Sequence, residues 1–167
     1  MMHNLELLPL TLPQLKKYLA NDFSLEKELF FELLPRQLSA DLKDALENSI
    51  IPAVEAATGD YFFSTLWTII DRDQNAMVGD MCFYGPPDEC GETELGYGTH
   101  EQFRNKGYMT EAVRLLILQA KKRKELQCIN ASTEISNPAS GTVLKNNGFM
   151  VTDESGYLIH WKLSLNS

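Results

Sequence analysis

Residues 104–109 read Arg104-Asn105-Lys106-Gly107-Tyr108-Met109 and join a predicted strand to a predicted helix. The strand is predicted over residues 92–100, and the helix over about residues 106–122, where apolar residues recur at helical spacing. A loop of this kind gathers unpaired backbone N–H groups at the positive end of the helix dipole, which attracts an anion. Gly107 lets the backbone turn tightly and approach that anion. The stretch predicts a phosphate-binding loop, and a plain helix entry is the alternative interpretation.

The remaining pattern predicts an α/β or α+β domain, in which antiparallel strands lead into a strand, helix, strand, helix, strand unit. The amino-terminal part is mainly helical, and Pro52 is expected to kink or end the last of its helices. Trp67, Phe83, Tyr84 and Tyr97 lie on predicted strands and are expected to pack in the core, with Tyr84 and Tyr97 as possible walls of a substrate groove. The other predicted elements are strands at 5–10, 66–70, 77–84, 128–133, 149–152 and 157–163, helices at 11–19 and 138–146, a helix that begins at Ser39, and a mostly apolar, glutamate-rich segment at 23–34.

Composition predicts one soluble domain over residues 1–167, because 44% hydrophobic and 23% charged residues are ordinary for a globular chain. The formal charge of −8 argues against nucleic-acid binding, which needs a basic surface, and it suits a cationic or amine-bearing substrate. The basic run at residues 121–124 is interpreted as a solvated helix end, where cations offset the dipole.

Cysteine usage predicts reduced thiols rather than cross-links. Cys82, Cys90 and Cys128 are odd in number and contain no Cys-x-x-Cys pair, so neither a disulfide framework nor a zinc site is implied. No basic region followed by a long apolar stretch begins the sequence, and no window is long enough to span a membrane. We therefore expect a cytoplasmic protein with no metal site and no membrane segment.

Two motifs carry a family resemblance. The first, Gln or Arg, two residues, Gly, one residue, then Gly or Ala, corresponds to Arg104, Gly107 and Met109, and Met109 departs from the pattern in its last place. The second, Asn-x-x-Ser followed downstream by Gly-Phe, corresponds to residues 137–140 and 148–149. With the order of elements over residues 61–163, they resemble the GCN5-related N-acetyltransferase (GNAT) superfamily, in particular its RimJ/RimL-like branch.

The resemblance implies a GNAT-like fold, with a mixed central sheet splayed at the cofactor site and helices flanking it. It implies direct transfer of an acetyl group from acetyl-coenzyme A to a primary amine, either of a small molecule or of a protein N-terminus. The strand before the loop is expected to splay from its neighbour at a bulge, which Gly96 and Gly98 suit. The residues expected to bind coenzyme A are Thr99, Arg104, Asn105, Lys106, Gly107, Tyr108, Met109, Thr110 and Asn137.

Glu94 and Ser140 are the catalytic residues that the resemblance implies. A protonated amine must lose a proton before it attacks, and the Glu94 carboxylate is the leading candidate to receive it, with Glu92 on the same strand face as a weaker one. Either glutamate is alternatively a solvated strand residue. Leu144 holds the place where many family members carry a tyrosine, and Ser140 is expected to stabilise the coenzyme A thiolate. Alternatively, Asn137 caps a helix and Ser140 extends its first turn.

A second hypothesis is a non-catalytic module that binds or senses acyl-coenzyme A, which Met109 and Leu144 favour. A nucleotide site is disfavoured because no Gly-x-x-x-x-Gly-Lys-Ser/Thr run is present. His3, His100 and His160 have no evident Ser or Cys partner, so no nucleophilic triad is predicted. The protein is expected to be a monomer or a homodimer, in which edge strands near the carboxyl terminus pair between chains.

Overall fold

The computed structural model describes residues 3–165. Its strands are β1 (Leu5–Pro9), β2 (Leu66–Asp71), β3 (Ala76–Phe83), β4 (Glu92–Thr99), β5 (Cys128–Glu134), β6 (Met150–Ser155) and β7 (Leu158–Ser164). These seven strands form one sheet in the order β1-β2-β3-β4-β5-β7-β6. The helices are α1 (Leu12–Ala20), α2 (Ser24–Leu29), α3 (Ala40–Ala45), α4 (Ile51–Ala56), α5 (Tyr108–Ala120) and α6 (Pro138–Asn146). The predicted α/β class with a mixed sheet is confirmed.

The sheet divides between β4 and β5, the only two neighbouring strands in residues 3–165 that run parallel. They pair at three positions, from Glu92 opposite Cys128 to Glu94 opposite Asn130. Beyond Glu94, β4 stays paired with β3 as far as Thr99, while β5 stays paired with β7. The two strands therefore present unpaired edges to each other, which gives the splay that the resemblance implies.

The expected bulge at Gly96 and Gly98 is absent, because β3 and β4 keep one register from Leu95 to Thr99. Gly96 instead leaves room for the Tyr84 side chain, since a Cβ atom there would lie 2.4 Å from the Tyr84 hydroxyl oxygen. The Tyr84 side chain thus lies across β4 at this point. It is 64% exposed, so the prediction that Tyr84 packs in the core is wrong, whereas Trp67 and Phe83 are buried as predicted.

Each face of the sheet carries its own hydrophobic cluster. On one face, α5 and α6 pack over alternate strand residues that include Val78, Leu95 and Ile129. On the other face, α1 to α4 pack over β2 and β3 through residues that include Leu66 and Cys82. Because strand side chains alternate between faces, Glu94 lies on the opposite face from Leu95 and Tyr97.

Two helix boundaries differ from the sequence prediction. Pro52 does not end its helix, because a π-helical turn at Leu46–Ile50 precedes it and the helix continues to Ala56. The long helix begins at Tyr108 rather than near Lys106, because Asn105 (φ 63°) and Gly107 (φ 81°) are left-handed. Of the helices within residues 3–165, none has the length and apolar character that a bilayer span requires.

Candidate active site

A cavity of about 730 Å³ opens between the end of β4, the 104–109 loop and the first turns of α5 and α6. It contains every residue predicted to bind coenzyme A and also Ser140, but not Glu94. Its lining residues are Tyr97, Gly98, Thr99, Phe103, Arg104, Asn105, Lys106, Gly107, Tyr108, Met109, Thr110, Asn137, Ala139, Ser140, Thr142 and Val143.

The loop ahead of α5 leaves the N-terminus of this helix uncovered. Gly107 is its N-cap residue, and because it has no side chain it makes no capping hydrogen bond to the helix. The first backbone N–H groups of a helix have no partner within the helix, so those that follow Gly107 remain available to an anion. A Cβ atom on Gly107 would meet nothing within 4 Å. The loop therefore has the geometry of an anion cradle that is open to the cavity.

Tyr108 and Met109 contribute only their backbone to this cradle, because both side chains are buried. The Tyr108 hydroxyl donates to Asp71 Oδ2 at 2.5 Å and accepts from Gln74 Nε2 at 2.7 Å. His3 stacks on the Tyr108 ring, with centroids 4.0 Å apart. Met109 is 5% exposed and belongs to the hydrophobic cluster beneath α5. Its departure from the family motif thus places no side chain in the cavity.

Arg104 and Thr99 close the loop on the strand side. The Arg104 Nε donates to the Thr99 backbone oxygen at 3.2 Å, which links the start of the loop to the end of β4. Asn105 and Lys106 are exposed, and Thr110 is partly buried at the cavity wall. The cavity therefore combines exposed cations with free amides, an arrangement that suits a polyphosphate.

The N-terminus of α6 brings two hydroxyl groups together. Asn137 caps the helix, because its Oδ1 accepts from the Ser140 backbone N–H at 3.3 Å, so the capping interpretation describes its geometry. The Ser140 Oγ donates to the Tyr97 hydroxyl at 2.9 Å, and that hydroxyl donates to the Ser140 backbone oxygen at 2.9 Å. Burial raises the pKa of Tyr97 to about 12, with the Ser140 hydrogen bond acting in the opposite direction. Leu144 is fully buried beneath the helix.

The two candidate glutamates differ in their surroundings. Glu92 accepts from Asn130 Nδ2 at 2.9 Å and pairs with Lys162 Nζ at 3.0 Å, and the Asn130 hydrogen bond lowers its pKa. Glu94 makes no side-chain hydrogen bond or ion pair within residues 3–165, and burial raises its pKa against the opposing charge of His160. Glu92 is engaged in a structural ion pair, whereas Glu94 has a free carboxylate next to the point where the strands part.

His160 has a serine partner, so the expectation that it has none is wrong. Its Nδ1 lies 3.0 Å from the Ser132 Oγ, and the two residues pair across β5 and β7. They are 28 positions apart in the sequence, which is why no local motif shows the contact. Strand alternation places Ser132 on the same face as Asn130, the register partner of Glu94.

Asp80 lies on β3 on the same face as Glu94 and is partly buried. Burial raises its pKa to about 6, while the Tyr18 hydrogen bond and the Arg36 charge act in the opposite direction. Its carboxylate Oδ2 accepts from the Tyr18 hydroxyl at 2.8 Å. Sequence reasoning missed this carboxylate, because Tyr18 and Asp80 are 62 positions apart.

The raised pKa of Asp80 predicts that the folded protein becomes less stable as the pH rises. Between its ordinary value of 3.8 and about 6, the folded chain keeps a proton on Asp80 that the unfolded chain has lost. The free energy of unfolding should therefore fall across this window by up to about 3 kcal/mol. Urea denaturation at a series of pH values should show this decline for the wild type and not for Asp80→Asn. An identical pH profile in both proteins would contradict it.

Comparisons with known proteins agree with this geometry. The family model described as "Acetyltransferase (GNAT) domain" matches residues 4–150, so the chain belongs to this family. Over 95 residues the chain is 37% identical to the uncharacterized N-acetyltransferase YjdG of Bacillus subtilis (strain 168). Those residues are 57% of this chain and 56% of that protein, so the match spans little more than half of the curated relative's length.

Two solved structures show the same fold across almost the whole chain. The ribosomal-protein-S5-alanine acetyltransferase of Vibrio fischeri has a TM-score of 0.69 at 16% identity, with 99% of this chain and 96% of that chain covered. RimL, a ribosomal L7/L12 alpha-N-protein acetyltransferase solved with coenzyme A, has a TM-score of 0.67 at 16% identity, with 96% and 93% covered. At these identities the likeness concerns the fold.

Proposed function

We propose that this protein transfers the acetyl group of acetyl-coenzyme A directly to a primary amine, of a small molecule or of a peptide N-terminus. One observation carries the proposal. The uncovered N-terminus of α5, the unpaired edge of β4 and the hydroxyl groups of Tyr97 and Ser140 all meet in one cavity. Family membership supports the same activity.

The residues present suit coenzyme A. The backbone N–H groups at the start of α5, with the Thr110 hydroxyl, would hold its diphosphate, and Arg104 and Lys106 would add positive charge. The unpaired β4 edge from Leu95 to Thr99 offers backbone donors and acceptors to its pantetheine amides. When bound, acetyl-coenzyme A supplies an activated thioester.

Glu94 would act on the acceptor. An α-amino group has a pKa of about 8 and a lysine about 10.4, so most acceptors arrive protonated at neutral pH. The carboxylate at the strand separation would take that proton, directly or through water, and its raised pKa makes it a stronger base than an ordinary glutamate. Ser132 and His160 lie on the same face, where they would line the approach of the acceptor.

Tyr97 would stabilise the departing thiolate by turning its hydroxyl donor from the Ser140 backbone oxygen to the sulfur, while the Ser140 hydroxyl continues to donate to the phenol oxygen. A thiol has a pKa of about 8.5, far below the value of about 12 for Tyr97, so the phenol would donate a hydrogen bond without giving up its proton. Tyr97 thus brings a phenol into the cavity from β4, although Leu144 is no tyrosine.

We expect Tyr97→Phe to lower kcat by about 10-fold or more, because a hydrogen bond to a charged group contributes about 1.5–3 kcal/mol. The affinity for coenzyme A should change little, since the proposed role of the phenol is confined to the departing sulfur. Steady-state thiol release and calorimetry with coenzyme A would measure the two quantities. A parallel loss of both would show that the Tyr97 hydroxyl only supports α6.

The alternative, a module that binds acyl-coenzyme A without catalysis, gains no support from Met109, whose side chain is buried, and Tyr97 supplies to the cavity the phenol that Leu144 lacks. A thiol-release assay against a broad panel of primary amines tests the proposal. Amine-dependent release of coenzyme A is expected. Tight binding of the cofactor with no release for any amine would favour the module, and no heat with either coenzyme A or acetyl-coenzyme A would reject both.

A further inference from the structure

His3 contacts the 104–109 loop, although it is not among the residues that line the cavity. It precedes β1, and the adjoining Asn4 backbone oxygen accepts from the Arg72 N–H at 2.8 Å, which continues the pairing of β1 with β2. The His3 backbone N–H donates to Glu111 Oε2, on the first turn of α5, at 2.9 Å. These contacts hold the His3 side chain beside the start of α5.

The His3 ring contacts two residues of the loop. Its Nε2 lies 2.7 Å from the Lys106 backbone oxygen, and because a carbonyl oxygen only accepts, this nitrogen carries a proton and donates it. The ring also stacks on the Tyr108 ring, with an angle of 25° between the planes. Tyr108 is fixed in turn by its hydroxyl bond to Asp71 on β2. The stack therefore holds the His3 donor in place against one carbonyl group.

The hydrogen bond from His3 sets the orientation of the Lys106–Gly107 peptide group. This peptide is trans, so its carbonyl oxygen and its N–H point in opposite directions. With the oxygen bonded to His3 outside the cavity, the Gly107 N–H is directed to the other side, where Lys106 and Gly107 line the cavity. Within residues 3–165, the Gly107 N–H donates to no other group, so it is available to a ligand.

The sequence of the loop permits a second orientation of the same peptide group. Gly107 has φ of 81°, and glycine adopts positive and negative φ about equally well, so the peptide can turn over at little cost. A turned peptide would present the Lys106 oxygen to the cavity in place of the Gly107 N–H. That oxygen carries partial negative charge and would repel a diphosphate. The bond from His3 disfavours this second state.

We propose that His3 is a positioning residue for coenzyme A, which directs the Gly107 N–H at the diphosphate by holding the Lys106 oxygen. The inference rests on the proposed function, which places the diphosphate at the start of α5. Because His3 acts through the loop, its influence is confined to the part of the ligand that carries the diphosphate. The affinity for coenzyme A should depend on the Nε2 donor, and the chemistry at the thioester should not.

Two substitutions separate the donor from the ring. His3→Phe keeps an aromatic ring to stack on Tyr108 and removes the donor, whereas His3→Gln supplies an amide N–H and removes the ring. His3→Phe should weaken coenzyme A binding by about 3- to 10-fold, the contribution of one hydrogen bond. His3→Gln should restore most of that loss. Asn4→Ala, which removes a hydrogen bond from the same segment to Asp73, is the matched control and should bind as the wild type. Calorimetry with coenzyme A measures all four proteins.

Steady-state kinetics with two acetyl donors locate the effect within the ligand. S-Acetylpantetheine carries the thioester but lacks the diphosphate. His3→Phe should raise KM for acetyl-coenzyme A by the same factor as the affinity falls, with kcat unchanged, and should use S-acetylpantetheine as efficiently as the wild type does. An equal loss with both donors would show a general structural role and overturn the inference.

Equal affinities of folded His3→Phe and wild-type protein would also overturn it, as would a His3→Gln variant that binds as weakly as His3→Phe. Should His3→Phe fail to fold, His3→Ala takes its place, with thermal unfolding as the check. Coenzyme A binding that depends on the His3 donor, without turnover of any amine, would support the role of His3 and reject the catalytic proposal. Turnover with unchanged affinity in the His3 variants would reject the role of His3 alone.

Discussion

Replacing Glu94 by glutamine is expected to lower kcat by about 10²-fold or more, with little change in the affinity for coenzyme A. Glutamine keeps the shape of the side chain but cannot accept a proton. Glu94 lies outside the cavity proposed to hold coenzyme A, so the loss should fall on the acceptor half of the reaction. Steady-state thiol release, with calorimetry for coenzyme A, measures both effects.

The pH dependence of the rate provides a second test of the role of Glu94. A general base works when deprotonated, so wild-type activity should be lost as pH falls through the pKa of Glu94, which burial raises above its ordinary value. Glu94→Gln should lack that limb. Glu92→Gln is the matched comparison, because Glu92 lies on the same face with its carboxylate held by Asn130 and Lys162, and its kcat should change little. A Glu94→Gln rate equal to the wild-type rate at a pH above that pKa, where the wild-type carboxylate is ionised, would remove Glu94 from this role.

Replacing Gly107 by valine is expected to weaken coenzyme A binding by about 10-fold or more. Gly107 has φ of 81°, a left-handed conformation that costs a residue with a Cβ atom about 1–2 kcal/mol, and more for a β-branched one. A Cβ atom there would meet nothing within 4 Å, so the new side chain would project into open space beside the cradle. Both the changed backbone and the added bulk disturb the amides at the start of α5. Calorimetry with coenzyme A measures the loss.

Gly156 provides a control for backbone strain. It has φ of 63° in the turn between β6 and β7, and a Cβ atom there would also meet nothing within 4 Å. Gly156→Val should therefore reduce thermal stability to a similar extent and leave coenzyme A binding intact. Equal affinities in folded Gly107→Val and wild-type protein would reject the assignment of the loop.

The sequence predicted the order of strands and helices because its local signals agree with the final packing. Glycine at the loop, asparagine at the start of α6 and alternating apolar residues on the strands each act within a few positions. The direction of the Met109 side chain could also be predicted from the sequence. Met109 shares a helical stripe with Ala112, Val113 and Leu116, so its side chain had to face the core rather than a ligand.

Contacts between distant residues could not be predicted from these signals. Tyr97 meets Ser140 only because α6 returns over β4, and Ser132 meets His160 only because β5 pairs with β7. Strand alternation does separate Glu94 from Tyr97, but which face receives which helices depends on the tertiary fold. The candidate site was therefore predictable where one loop supplies it, and not where two elements share it.

The gap between β4 and β5 opens onto both faces of the sheet. Tyr97 and Ser140 lie on one face, and Glu94 lies on the other. Under the proposed function, the two substrates arrive through separate entrances. Neither has to depart before the other binds, so a ternary complex forms in either order of addition. An analogue of one substrate would then inhibit noncompetitively against the other.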